Sequence, residues 1–348
     1  MIKESKKILF TTGQDLQNTN TVKELDFDEL CGVSEEIAKR LKDFTVVNNC
    51  GKPNFWINED FEVTFQDVNG DIHKVDMTES AFGQLCGYLG VPPKYVKKCY
   101  DSGKHELALA NFKAWSNDVE TNLVFKVYGD TVHGVVTENY SSFSNNRTMQ
   151  TLRSVVDLKK YMPIQSVITP ESMAVRFITR EPIQIDGDKS PIWSGFSVSN
   201  NNMGGGSLKI NDFSYRQWCT NGMVTQMFRG TSLSRAHRGE EMSDGKIALF
   251  SRTIQGIEDV REEKIRLMNK SAKCRMDEYE HRFLVERVRR NLRLSEKATD
   301  ELQTVSAKYG NTEWAIINGV TELAQRYSID ERMSMERFAG DMLVSRNK

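Results

Sequence analysis

Between Tyr215 and Arg238 the chain gathers Tyr215, Arg216, Trp218, Phe228, Arg229, Arg235, His237 and Arg238 within two dozen residues. Aromatic rings give bases a face to stack on, at about 1 to 3 kcal/mol per base, and guanidinium groups neutralise phosphates, so this mixture suits single-stranded nucleic acid. The same rings can also be ordinary core. At helical spacing at least one of Tyr215, Trp218 and Phe228 is expected to be buried, which leaves the arginines as the stronger candidates.

Other chemistries fit less well. Met203-Gly204-Gly205-Gly206-Ser207-Leu208-Lys209 has a phosphate-loop composition, but the residues after it alternate like a strand instead of opening a helix, so a hairpin turn is expected there. His73, His105, His133, His237 and His281 show no metal-ligand spacing. Cys219 and His237 lack a third group to orient a nucleophile and base pair, and a buried thiol is the expected role of Cys219. No catalytic constellation emerges, and the reading is a protein without enzymatic activity, cofactor or metal.

The 348 residues carry 47 Lys/Arg against 48 Asp/Glu, a formal net charge of -1. Positive charge is nevertheless uneven: residues 1–104 hold 13 basic against 17 acidic side chains, whereas 140–240 and 261–297 each hold 12 against 7. Such asymmetry permits one polyanion-binding face. No apolar run approaches the length of a membrane span, the basic N-terminus lacks an apolar core and cleavage site, and the six cysteines form no C-x-x-C pair. A cytoplasmic protein with reduced thiols is expected.

The elements that would position these groups follow from periodicity. A capped helix is expected from about Ser34 to Asp43, a hairpin around Asn69-Gly70, and helices after Thr78, at Pro92-Pro93 and from Glu106 to Trp115. From Thr121 the period changes. Two strands flank Gly129-Asp130, Ser144 caps a helix ending near Lys159 and Lys160, another strand runs from Met173 to Thr179, and Ile192 begins a hairpin turning at Asn201–Gly206. Residues 121–224 are expected to form one antiparallel sheet with Asn201–Gly206 as an exposed turn. A short helix would carry Arg216, Trp218 and Cys219 and end in a left-handed Asn221-Gly222 pair. The final third reads as helical. In it, Leu284, Val285, Val288 and Leu292 form an apolar stripe opposite Arg282, Arg287, Arg289, Arg290 and Arg293, and two further helices span about 312–327 and 329–344. The fold class is therefore α+β: an antiparallel sheet with helices on one face, then a helical C-terminal third. Its parts are 1–120, mostly helical scaffold with a hairpin; 121–240, the sheet and helix core; and 241–348, helical.

The segments SVSNNNMGGGSLKINDF and YRQWCTNGM, together with VVTENYSSFSNNRTMQTLRS and TEWAIINGVTEL, resemble the core of the phage/plasmid-like family of unknown function carried by phages, prophages and conjugative plasmids. That core is in turn similar to the single-strand annealing proteins of phages. The resemblance implies a homo-oligomeric protein of a mobile element, acting in the host cytoplasm, that binds single-stranded DNA for recombination. Arg216, Arg229, Arg235, His237 and Arg238, with Lys159, Lys160, Arg287, Arg289, Arg290 and Arg293, would line the DNA. The competing reading is a non-enzymatic interaction factor, such as a host-defence inhibitor or particle component, whose basic helix meets an acidic protein.

Overall fold

The computed structural model describes residues 24–47, 54–58, 62–140, 143–188, 191–216, 221–225, 232–235, 244–327 and 329–345. Asp26 starts the first helix, α1 (Phe27–Arg40), by accepting the Asp28 and Glu29 amides at 2.8 and 3.2 Å. This helix both begins and ends earlier than the sequence suggests, because Leu41–Val46 is a strand, β1. Strands β2 (Phe55–Ile57), β3 (Val63–Gln66) and β4 (Ile72–Met77) follow, with β3 and β4 joined through Gly70 at φ 88°. Helices α2 (Glu79–Tyr88), α3 (Pro93–Asp101) and α4 (His105–Ser116) lie where Thr78, the proline pair and the apolar spacing place them.

The single sheet expected over 121–224 is divided between two. Strands β5 (Leu123–Tyr128) and β6 (Thr131–Thr137) do form a hairpin, but β5 pairs antiparallel with β1 and β6 runs parallel to β4. They complete a six-stranded mixed sheet ordered β1-β5-β6-β4-β3-β2, whose core holds Phe65, Leu85, Phe112 and Phe125 under α2, α3 and α4. Local alternation says that a segment is a strand; it does not name the partner, which here lies far away in sequence.

The second sheet starts after α5 (Asn145–Val155), which Ser144 caps. It comprises β7 (Tyr161–Ile168), β8 (Ser172–Thr179), β9 (Ile192–Asn201), β10 (Leu208–Arg216), β11 (Asn221–Thr225) and β12 (Ser232–Arg235), and every pairing described in it is antiparallel. β9 lines one edge of β10. On the other, β12 faces Leu208–Asn211 and β11 faces Asp212–Arg216. Alternation buries Val175, Phe177, Phe196, Val198 and Ile210 on one face, beneath α1, α5 and α6 (Asp244–Asp259). The opposite face carries Ile164, Ile178, Trp193, Phe213 and Tyr215.

Five further helices, α7 (Arg261–Lys273), α8 (Glu278–Leu292), α9 (Glu296–Ala307), α10 (Glu313–Ala324) and α11 (Ile329–Ser345), share a core that includes Leu284, Val288, Leu302, Ile316 and Val320. The α+β class and the helical C-terminal third are thus as the sequence implies. No helix among the described residues is long and apolar enough to cross a membrane.

The turn between β9 and β10 is not wholly exposed. Gly204, Gly205 and Gly206 face solvent, but Asn202 and Met203 are buried, Met203 against the first sheet. The Gln84 side chain donates from Nε2 to the Met203 carbonyl at 2.7 Å and accepts the Val135 amide at 2.7 Å. A Cβ on Gly134 would lie 2.8 Å from both Met203 Cβ and its carbonyl oxygen, so only glycine admits the turn at this distance. The glycine-rich stretch is therefore a joint between the two sheets.

Candidate nucleic-acid interface

Helix α8 carries the clearest unpartnered surface among the described residues. Asp277 and Glu280 start it with a reciprocal capping box, and Leu284, Val285 and Val288 bury one stripe as the sequence predicts. On the solvent side stand Tyr279 and Phe283, 79% and 60% exposed. They are four residues apart, so the rings lie one turn above the other on the same face. Reading charge and periodicity alone misses both. The signal is nonetheless in the sequence, since both aromatics fall off the apolar stripe among arginines.

The arginines around these rings are tied locally. Arg282 pairs with Glu278 at 2.6 Å, while Glu286 receives Arg289 at 2.6 and 2.7 Å and Arg290 at 2.8 Å. These bonds hold the Glu286 carboxyl down at about 2, below its ordinary 4.5. Arg282 and Arg290 remain about three-quarters exposed, at 73% and 74%. Arg287 is half-buried, and Arg293 ends the helix in a left-handed conformation at φ 53°.

A second basic group gathers at one end of the second sheet. Lys160 precedes β7, with Nζ 2.6 Å from Glu258 of α6 and 5.7 Å above the Tyr161 ring, and Lys159 beside it is exposed. The strand register brings Tyr161 opposite Thr179, and Arg216 opposite Ile192, at the same end. Arg180, next to Thr179, is held by two bonds to Glu24 at 3.0 and 2.7 Å. Behind these residues the Tyr161 hydroxyl donates to Glu258 at 2.9 Å, and burial, followed by that carboxylate, raises its pKa.

Arg216 is the last residue of β10 and not part of a helix, and Asn221 and Gly222 belong to β11, paired with Arg216 and Tyr215. The polar Thr220-Asn221-Gly222 stretch suggests a helix end; the antiparallel ladder to β10 takes its place. Arg235 lies opposite Leu208, eight residues along β10 from Arg216, which separates the two backbones by roughly 26 Å at about 3.3 Å per residue. Tyr215 is core, 1% exposed. Arg229, His237 and Arg238, with Trp218, Cys219 and Phe228, lie outside the described residues. The α8 arginines and the lysines before β7 belong to different cores, the first to the C-terminal helical layer and the second to the sheet beneath α6.

Among the described residues no group of three or more His, Cys, Asp or Glu side chains converges as a metal site. Cys31, Cys86 and Cys99 are buried, and burial pushes the Cys86 thiol up to about 12, far from a reactive thiolate. No curated protein and no solved structure matches the chain. A family model does: it spans residues 132–348, from within β6 through the second sheet and the helical layer, and the chain belongs to the family of the domain of unknown function DUF932.

Proposed function

We propose that this protein binds single-stranded DNA on the outer face of α8 and acts as an annealing-type recombination protein of a phage or other mobile element, working as a homo-oligomer in the host cytoplasm. The observation that carries the reading is the exposed pair Tyr279 and Phe283 flanked by Arg282 and Arg290. Two rings this exposed gain nothing from the protein's own core, and their spacing along one turn offers successive bases a place to stack. Lys159 and Lys160, just before β7, offer a second, separate pair of basic side chains at one end of the second sheet.

Binding of a labelled oligonucleotide, read by anisotropy at two salt concentrations, tests the proposal. Tyr279→Ala and Phe283→Ala are each expected to weaken binding by about 5- to 150-fold, the equivalent of about 1 to 3 kcal/mol per stacked base, with the salt dependence unchanged. Arg282→Ala with Arg290→Ala is expected to flatten the logarithmic salt slope by about 0.7 for each phosphate no longer neutralised. Unaltered affinity in all of these variants would remove α8 from the interface. Exposed aromatics among arginines also suit a protein partner. Absence of any oligonucleotide binding at low salt, with capture of an acidic protein that Phe283→Ala abolishes, would favour that second reading.

A further inference from the structure

Helix α4 buries Ala108, Phe112 and Ser116 and turns to solvent a side that carries no charge. At 3.6 residues per turn, Leu107, Ala110, Asn111, Ala114 and Trp115 fall within one arc of about 140°. All but Asn111 are exposed, Leu107 and Trp115 each by 51%. The Asn111 amide is already engaged: its nitrogen donates to the Leu107 carbonyl at 2.7 Å and to the Tyr95 hydroxyl at 3.2 Å. The second of these bonds brings Tyr95, itself exposed on α3, to the edge of the α4 face.

The border of this face is basic. Lys94 and Lys98 stand one residue before Tyr95 and three after it on α3, Lys104 precedes α4, and Lys113 lies on the α4 flank. All four are exposed, and none makes an ion pair with a carboxylate among the described residues, whereas Lys97 pairs with Asp101 at 3.5 Å. Within α4 the only acid is Glu106, on the same flank as Lys113. An apolar strip edged by unpaired cations complements an apolar stripe edged by carboxylates.

We propose that the α4 face is a docking site for an amphipathic helix of a partner protein, its apolar stripe edged by Asp or Glu. Ala110 and Ala114, one turn apart, form a floor that a second helix can approach closely, and Leu107 and Trp115 stand about 12 Å apart along the axis at its two ends. A second copy of this chain would bring lysines to a border that lacks acids. A membrane surface would gain little from a strip in which two of the four apolar side chains are single methyl groups. A nucleic acid would meet a floor without a hydrogen-bond donor. The site lies on a different helix from α8 and does not rest on the function proposed above.

The test is the anisotropy of a labelled helical peptide, with leucines at i, i+3, i+4 and i+7 and glutamates on both flanks, titrated with the full chain. Saturable binding that weakens with salt is expected, and a twin peptide with lysines in place of the glutamates is expected not to bind. Trp115→Ala is expected to weaken binding about 30-fold, as loss of an aromatic anchor implies. Ala110→Gln fills the floor without changing charge or breaking the helix, and serves if Trp115→Ala folds poorly. It is expected to weaken binding about tenfold or more with the thermal midpoint unchanged. No binding of the acidic peptide, equal binding of the two peptides, or unaltered affinity in both variants would overturn the site. So would a smaller oligomer, or weaker binding to an oligonucleotide or to phosphatidylserine vesicles, in Ala110→Gln: these outcomes would give the face to a second copy, to nucleic acid or to a membrane.

Discussion

Lys264 of α7 donates from Nζ to Oδ1 of Asp212 in β10 at 2.6 Å, and both side chains are fully buried. The pair joins the first helix of the C-terminal layer to β10, the strand of the second sheet that pairs with β9, β11 and β12. Removing one member of such a pair leaves an uncompensated charge in the interior. Lys264→Met is therefore expected to cost about 3 to 5 kcal/mol of unfolding free energy in urea. The double variant Lys264→Met with Asp212→Leu should recover at least half of that loss. If the double variant is no more stable than the single one, the charge of Asp212 is not what Lys264 compensates.

Two glycines should respond in opposite directions to the same substitution. A Cβ on Gly195 would fall 1.9 Å from the Phe177 carbonyl oxygen and 2.8 Å from the Ile178 Cα, both backbone atoms that cannot yield without separating β8 from β9. Gly195→Ala is expected to lower stability by about 3 kcal/mol or more, at the upper end of overpacking costs. Gly87 is exposed in α2, and a Cβ added to it would meet nothing within 4 Å. Its change to Ala should instead raise stability by about 0.5 to 1 kcal/mol through helix propensity. Chemical denaturation of the two variants side by side checks both signs.

The joint between the sheets hangs on Gln84, whose amide serves both the Met203 carbonyl and the Val135 amide. Gln84→Ala deletes both bonds and leaves two backbone groups to find new partners. A loss of about 2 kcal/mol is expected, with faster amide exchange at Val135 than in the unaltered chain. Unchanged exchange at Val135 would mean that Gln84 does not hold the joint.

Local chemistry makes much of this fold legible. Asn69-Gly70 locates the β3–β4 hairpin, Thr78, Ser144 and Thr312 locate three helix starts, and the spacing of Leu284, Val285 and Val288 marks the buried side of α8. What escapes is non-local. Whether β5 joins the first sheet or the second depends on β1, some eighty residues upstream, and whether Met203 is exposed depends on Gln84 and Gly134. The candidate site is half legible for a related reason. Charge draws attention to the arginines of α8, but a helical wheel shows which residues share a face and not what covers it. The exposure of Tyr279 and Phe283 therefore becomes visible only with the packing.

Glu286 offers a test of α8 that works through pH and through binding. Its carboxyl is held at about 2 by Arg289 and then Arg290, against an ordinary value of 4.5 that the unfolded chain would show. A depressed folded-state pKa means that the unfolded chain takes up the proton first as pH falls. The stabilisation is thus fully present above about pH 4.5 and is lost as pH drops toward 2. A carboxyl-carbon NMR titration of Glu286 should show a midpoint near that low value, and Glu286→Gln should remove the corresponding part of the acid-induced loss of helix. The same substitution releases Arg289 and Arg290 from their carboxylate. If these arginines meet phosphates, affinity for a single-stranded oligonucleotide should rise at low salt. The logarithmic salt slope should steepen by about 0.7 for each phosphate newly neutralised. Weaker binding or an unchanged slope would mean that the Glu286 clamp serves the helix alone, and that DNA, if bound, is met elsewhere on the surface.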